Sequence, residues 1–202
     1  MKKITFDLPT LHEHGPAYFD YLRLRKTFFV DQLHWPIAHN DTVEMDEYDN
    51  PQTFYALVMD GDEVVGGARC MPTTVKWGKH TYMVADAYNG MLQDIPRDSM
   101  PYAYKSPYVW ETSRLVISDK LKDREARSEC LKLILDGVVE VANDHGAHEL
   151  IALSSVAMLR ALRGLGFDVN RMGKAYRDND DGRMYCVMGM PTVAAEHMIA
   201  AE

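Results

Sequence analysis

The chain has 202 residues, of which 47% are apolar, and a formal net charge of −8. This length and apolar content are typical of one globular domain with a single core, and they exclude a disordered chain. The negative charge argues against nucleic-acid or anionic-membrane binding over a broad surface, because both need a basic face, although a local basic patch for one acidic partner is compatible with it.

Targeting and metal-binding signals are weak. MKKITFDLPT has two lysines but no apolar run behind them, so it does not resemble a secretory signal, and no stretch approaches the ~20 apolar residues of a membrane span. The three cysteines are widely spaced, and no histidine pair has an acid or cysteine at ligand spacing. We therefore expect a cytoplasmic bacterial-type protein without a disulfide framework, a structural zinc or another metal.

The first predicted element is a helix over 15–33, where apolar residues recur at steps of three and four on one face. Trp35-Pro36 ends it, because the residue before a proline is biased away from the helical region. The acidic loop TVEMDEYDN follows at 42–50. Its acids repel one another unless a positive partner lies among them.

A hairpin is predicted next, because two apolar runs flank Asp60-Gly61. Its strands cover about 54–59 and 63–71. Gly66-Gly67 inside the second strand predicts a bulge or a close approach of another backbone. The segment 73–107 is irregular, with a short helix expected over 84–92.

The second half predicts a strand over 108–117, an amphipathic helix over 124–144, a short buried strand over 149–154, a helix over 156–163 and a last strand over 183–190. A weakly helical tail follows. This order predicts an α/β (α+β) three-layer sandwich, a mixed sheet with helices on both faces. We expect a single domain over 1–202, in which 1–50 covers the site, 51–190 forms the core and 191–202 is a tail.

Charged residues stand on or beside these elements. The bases are Arg25, Arg69 and Arg114, and the acids are Asp46, Asp49 and Glu111. On a regular strand Glu111 and Arg114 point to opposite faces unless a bulge intervenes. Such a set is typical first of an internal salt-bridge network, because these networks are much commoner than active sites.

Two other sites are poorly supported. The acidic loop lacks the glycine and the alternating acids of an EF-hand, since Tyr48 interrupts the alternation. Ser154-Ser155 has no G-x-S-x-G elbow, so a hydrolase triad is not indicated.

The motifs occur in a specific order: R-x-x-x-F-x(5)-W at 25–35, E-x-D-x-x-D at 44–49, an arginine (Arg69) before P-T-T, and W-E-x-S-R at 110–114. Each motif alone is weak, but the ordered set over about 22–173 resembles the acyl-homoserine-lactone synthases, the autoinducer synthases of bacterial quorum sensing. The resemblance implies a fold similar to the Gcn5-type N-acyltransferases.

The resemblance also implies a reaction. The α-amine of S-adenosylmethionine attacks an acyl thioester on acyl carrier protein, or in some members on coenzyme A. The methionine carboxylate then closes on its γ-carbon and expels methylthioadenosine. S-adenosylmethionine is a substrate, so no cofactor is expected. The alternatives are an N-acyltransferase acting on another amine and a non-catalytic module that binds acyl groups or S-adenosylmethionine.

Several residues take roles from this resemblance. Glu111 matches the family's proposed base, which acts directly or through a water. The simpler alternative is that Glu111 is a strand-edge ion-pair partner of Arg69 or Arg114. Asp46 matches the acid near the substrate amine, and Phe29 and Trp35 match the walls of the pocket.

The three arginines match an ion network with Asp49 and Glu111, and we choose Arg114 to hold the substrate carboxylate. Backbone N–H groups of a splayed or bulged strand over 110–113 would stabilise the oxyanion. Glu44 receives no role, and Glu47 is expected to face solvent.

An acidic carrier protein requires a local basic patch on this acidic enzyme, although a solvated helix face is the simpler alternative. The candidates are Arg160, Arg163, Arg171, Lys174 and Arg177. The segment SDKLKDREARSE contains no glycine, which argues against the phosphate loop of a conventional acetyl-CoA enzyme.

The chain also departs from the family pattern. Tyr88 stands where many members have Phe, and we expect it at the substrate. Ala152 stands where members that prefer 3-oxo chains often have Thr, which argues against a strict 3-oxo preference. Met158 is expected in a compliant acyl pocket, with ordinary core filling as the alternative. Chain length, the choice of donor and the oligomeric state stay open.

Overall fold

The structure, a computed structural model, describes residues 1–192. The strands are β1 (Lys2–Asp7), β2 (Phe54–Asp60), β3 (Glu63–Pro72), β4 (Val109–Ile117), β5 (Glu149–Ser155), β6 (Asn170–Arg171), β7 (Tyr176–Arg177) and β8 (Met184–Pro191). The α-helices are α1 (Ala17–Arg25), α2 (Met83–Tyr88), α3 (Arg124–Asp144) and α4 (Val156–Gly164). The predicted tail helix falls on 193–202, outside the described residues.

The strands form one mixed sheet of eight strands in the order β1-β2-β3-β4-β5-β8-β6, with β7 also paired to β8. Helix α1 packs on one face and α3 and α4 on the other. The predicted three-layer sandwich is confirmed.

The central pair of strands separates partway along its length. β4 and β5 are parallel and pair only over Val109–Glu111 with Glu149–Ile151. Beyond this point β4 continues along β3, while β5 continues along β8. The separation leaves a V-shaped gap in the middle of the sheet.

Glycines allow the helices to lie close to this sheet. A Cβ on Gly67 would lie 2.5 Å from Leu57 Cδ2 and 3.0 Å from the ring of Tyr21 in α1. On the other face, a Cβ on Gly137 of α3 would lie 2.9 Å from the Cβ of Ala56. The bulge expected at Gly66-Gly67 is confirmed, because the register with β2 shifts between Val58 and Met59, whereas the groups nearest Gly67 are side chains rather than another backbone.

Three features differ from the sequence prediction. Edge strand β1, which pairs with β2 from Phe54 to Met59, was not predicted, and neither were the two-residue strands β6 and β7. The first predicted helix divides into α1 and a π-helical segment over Lys26–Gln32. Such segments are frequent at functional sites, and here it carries Phe29.

Within residues 1–192, the helices are too short or too polar to cross a membrane. The same part of the chain contains no group of three or more His, Cys, Asp or Glu residues arranged to hold a metal ion. The three cysteines are buried free thiols.

Candidate active site

Arg25, at the end of α1, fixes the acidic loop against the helix. Its Nε donates to Glu44 Oε2 at 2.5 Å, and Nη1 and Nη2 donate to the two carboxylate oxygens of Asp49 at 2.8 and 2.9 Å. The side chains of all three residues are fully buried. A bidentate arginine–carboxylate pair is among the stronger ion pairs, because two parallel hydrogen bonds fix its geometry.

Arg69 extends the network from strand β3. Its Nη1 and Nη2 donate to Asp46 at 2.5 and 2.9 Å, and its Nε donates to Ser113 Oγ at 2.9 Å. Nη1 also lies 2.9 Å from Asp49 Oδ2. Arg69 therefore links both aspartates of the loop to β4.

Arg114 reaches the same network because β4 bulges. Between its pairs with Arg69 and Gly67, β4 carries an extra residue, and Arg114 adopts a φ of 54°. A positive φ is costly for a residue with a Cβ, and Tyr21 Oη holds the distortion by donating to the Arg114 carbonyl at 2.8 Å. The bulge directs the guanidinium to Glu44 and Asp46, at 3.2 and 2.8 Å.

Three guanidinium groups thus face three carboxylates. Burial alone would raise the pKa of Asp46, but the charges of Arg69 and Arg114 outweigh burial and hold it well below the usual value. The charges of Arg69 and Arg25 lower the pKa of Asp49 in the same way. Both aspartates are therefore ionised at neutral pH.

This network corrects the expected partners. Glu44, which had no predicted role, is the third carboxylate, whereas the hydrogen bonds of Glu111 go to backbone groups instead. Asp46 is bound to arginines and also lines the cleft. Glu47 is exposed, as expected.

Glu111 is buried beneath the first turn of α2. Its Oε2 accepts from Met83 N at 2.9 Å and its Oε1 from Val84 N at 2.8 Å, and the residue is 1% exposed. Burial raises the pKa of Glu111 to about 7, against the opposing effect of the two N–H donors. A carboxylate with this pKa can accept a proton near neutral pH. Met83 lines the cleft, whereas Glu111 does not.

Asp86 anchors α2 over Glu111. It is 1% exposed and accepts from Tyr48 Oη at 2.9 Å and from Thr81 Oγ1 at 2.7 Å. His80 Nδ1 lies 2.9 Å from the same carboxylate. The position of α2, and with it the environment of Glu111, thus depends on a buried aspartate that the sequence motifs did not identify.

A cleft of about 430 Å³ opens at the gap between β4 and β5. One end is aromatic and charged: the rings of Phe29 and Trp35 stack at 5.0 Å, and the Arg114 guanidinium lies 5.4 Å from the Phe29 centroid. The other end is mainly apolar and is lined by Leu135, Leu150, Ala152, Met158, Leu162, Val169 and Met188.

The structure therefore gathers most of the predicted pocket residues, with one exception. Tyr88 lies at the end of α2, is 37% exposed and does not belong to the described cleft lining, so its expected contact with substrate is not supported.

A carboxylate near the mouth of the cleft joins distant segments. Asp181 accepts from Trp35 Nε1 at 3.2 Å and from Tyr185 Oη at 2.6 Å. These contacts hold the wall residue Trp35 against the β7–β8 turn. They have no sequence signal, because the partners are far apart in the chain.

The predicted basic patch is only partly available. Arg160 is exposed on α4. Arg163 Nε donates to the Val169 carbonyl at 2.7 Å, and Lys174 Nζ pairs with Asp98 at 3.2 Å. Arg163 therefore has a structural role, and its docking role stays a prediction.

Comparison with known proteins gives consistent results. A family model described as autoinducer synthase matches residues 11–198. The acyl-homoserine-lactone synthase of Ralstonia nicotianae is 33% identical over 175 residues, which cover 84% of this chain and 76% of that protein.

Solved structures show the same likeness. TofI in a ternary complex with an inhibitor and MTA is 27% identical with a TM-score of 0.75, covering 96% of this chain and 93% of TofI. BjaI, described as a CoA-dependent acyl-homoserine lactone synthase with SAM and isopentyl-CoA, has a TM-score of 0.75 at 22% identity, covering 96% and 85%. At that identity the likeness to BjaI concerns the fold.

Proposed function

The chain belongs to the autoinducer synthase family, and on that premise we propose that it acylates the amine of S-adenosylmethionine and closes the product to an acyl-homoserine lactone. The main support is the junction of a charged, aromatic site with an apolar cleft at the gap between β4 and β5. One end suits a cationic amino acid and the other an acyl chain. The solved structure of TofI, which holds MTA, agrees with this assignment.

S-adenosylmethionine is assigned to the charged end. The stacked rings of Phe29 and Trp35 offer a surface for the sulfonium cation. Asp46 lines the cleft beside them and attracts the ammonium group. The guanidinium of Arg114, whose side chain is 9% exposed, would bind the methionine carboxylate.

The acyl chain is assigned to the apolar end, with its thioester in the gap. Beyond Glu111 and Ile151, β4 and β5 no longer pair. Backbone N–H groups along these separated margins would stabilise the oxyanion that forms when the amine nitrogen attacks the carbonyl carbon. The carbon–sulfur bond then breaks, and the thiol leaves with the carrier.

Glu111 is assigned to the removal of the proton from the attacking amine. Because Glu111 is buried and does not line the cleft, we propose that the proton passes through a water admitted at the first turn of α2, where Met83 N–H donates to the carboxylate. In the second step, a carboxylate oxygen of the methionine moiety attacks the γ-carbon and displaces methylthioadenosine. This step needs no further protein base.

The test is to incubate the purified chain with S-adenosylmethionine and a panel of acyl carrier proteins and acyl-CoAs. Release of both free thiol and methylthioadenosine is expected with at least one donor. Thiol without methylthioadenosine would instead indicate acylation of another amine. Ligand-induced thermal stabilisation without thiol would indicate a binding module.

We further propose acyl carrier protein as a donor that docks beside α4. Arg160→Glu should raise KM for acyl carrier protein by about tenfold at low salt, because a rim charge steers association. The effect should shrink at high salt, and KM for an acyl-CoA should change little.

Lys2→Glu is the matched control for Arg160→Glu. It makes the same charge change on edge strand β1, at the opposite end of the sheet order from β8 and β6. Equal effects of the two substitutions would exclude docking at α4.

The cytoplasmic location and the division of the domain stay predictions.

A further inference from the structure

Thr112 has a hydroxyl group that the fold leaves without a partner. It follows Glu111 on β4, where β4 and β5 have already separated. The residue lines the cleft and is 7% exposed, and its Oγ1 is shielded from water and has no hydrogen-bond partner within residues 1–192. Native proteins seldom leave such a group unsatisfied, because its desolvation is not compensated.

The surroundings of Thr112 explain the missing partner. Thr112 pairs with Cys70 of the neighbouring strand β3. Since Cys70 belongs to the core between the sheet and helices α3 and α4, Thr112 lies on the same face of the sheet. On that face the cleft wall is mainly apolar, and Ala152, the next residue of β5 beyond the last β4–β5 pair, has no hydroxyl. An acceptor must therefore come from whatever occupies the cleft.

We propose that Thr112 donates a hydrogen bond to an oxygen atom of the bound acyl group, either the thioester carbonyl oxygen or an oxygen on the third carbon. This inference rests on the proposed function. The two oxygens are bonded to the first and third carbons of the acyl group. Both would therefore lie in the gap that Thr112 borders. Rotation about the Cα–Cβ bond exchanges hydroxyl and methyl between staggered positions, so the hydroxyl can turn to the cleft when an acyl group fills it.

Thr112→Val tests the hydroxyl while nearly keeping the shape of the side chain. The variant, Thr112→Ser and the wild type would be compared with unsubstituted, 3-hydroxy and 3-oxo donors of equal chain length, on acyl carrier protein and on coenzyme A. We expect Thr112→Val to lower kcat/KM by about tenfold for the donors that carry the recognised oxygen, and Thr112→Ser to retain activity.

The pattern across donors identifies the oxygen. A loss with every donor would assign the thioester carbonyl, and a loss confined to 3-hydroxy and 3-oxo donors would assign the third carbon. Unchanged rates in Thr112→Val, or equal losses in the Ser and Val variants, would overturn the proposal, because the hydroxyl would then not be used.

Thermal unfolding gives a second measure. Because the hydroxyl has no partner within residues 1–192, the Tm of Thr112→Val should equal or exceed that of the wild type, whereas a lower Tm would reveal a partner within the protein and overturn the premise. A wild type inactive with all donors would refute the proposed function and this inference together. An active wild type matched by Thr112→Val would refute the inference alone.

Discussion

Glu111→Gln should lower kcat/KM for lactone formation by roughly 100- to 10,000-fold, the range typical for loss of a general base. Glutamine keeps the shape of the side chain but cannot accept the amine proton. KM for S-adenosylmethionine should change little, because Phe29, Trp35 and Arg114 line the cleft and Glu111 does not. Methylthioadenosine release would be measured under saturating donor.

The matched control for Glu111→Gln is Glu47→Gln, which makes the same chemical change at an exposed carboxylate of the cleft. It should leave the rate close to that of the wild type. Activity of Glu111→Gln near the wild-type level would show that Glu111 is not the base. Solvent would then be the proton acceptor.

The pH profile gives the same hypothesis a second test. Burial raises the pKa of Glu111 to about 7, so wild-type kcat/KM should rise as pH increases through 7 and the carboxylate loses its proton. The substrate amine adds a second rise at about pH 8, the usual pKa of an α-amino group. In Glu111→Gln only the amine titration should be left.

The same pKa has the opposite effect on stability. Between the usual pKa of 4.5 and the folded value of about 7, the folded state binds more protons than the unfolded state. The contribution of Glu111 to the free energy of unfolding therefore falls as pH rises through this window. Deprotonation of Glu111 therefore favours catalysis but lowers the stability of the folded protein.

Elements with local signals were predictable from the sequence. The bounds of α3 follow from its apolar period, and the β2–β3 hairpin follows from Asp60-Gly61. β1 was missed because its partner β2 is about fifty residues away and an edge strand lacks a continuous apolar pattern. β6 and β7 are too short to carry any period.

The site was predictable in its membership but not in its pairing. The sequence identified the arginines, Asp46, Asp49 and Glu111, but it placed Glu111 in the network and left Glu44 without a role. The bulge in β4 places Arg114 at a positive φ and directs its guanidinium to Glu44. The sequence does not indicate this conformation, because a positive φ is uncommon for any residue with a Cβ. Likewise, the acceptor role of Asp86 depends on contacts that exist only after folding.

Asp49→Asn should lower the free energy of unfolding by about 3–5 kcal/mol, the usual cost of removing one partner from a buried ion pair. The asparagine side chain would keep the shape but leave Arg25 and Arg69 with one carboxylate fewer in a fully buried site. Urea denaturation at neutral pH, with the midpoint and slope fitted separately, measures the loss. Asp31→Asn is the control, because the Lys26–Asp31 pair is exposed and worth at most about 1 kcal/mol.

A double-mutant cycle separates a coupled network from a local defect. If Arg25 and Asp49 stabilise the fold as a pair, replacing both with apolar residues of similar size should recover part of the stability lost in Asp49→Asn. Additive losses would show that the two residues act independently. Asp49 also accepts a hydrogen bond from the Asp46 backbone N–H, so the Arg25–Asp49 pair would position Asp46 beside the cleft. If Arg25 and Asp49 act independently, the pair does not position Asp46.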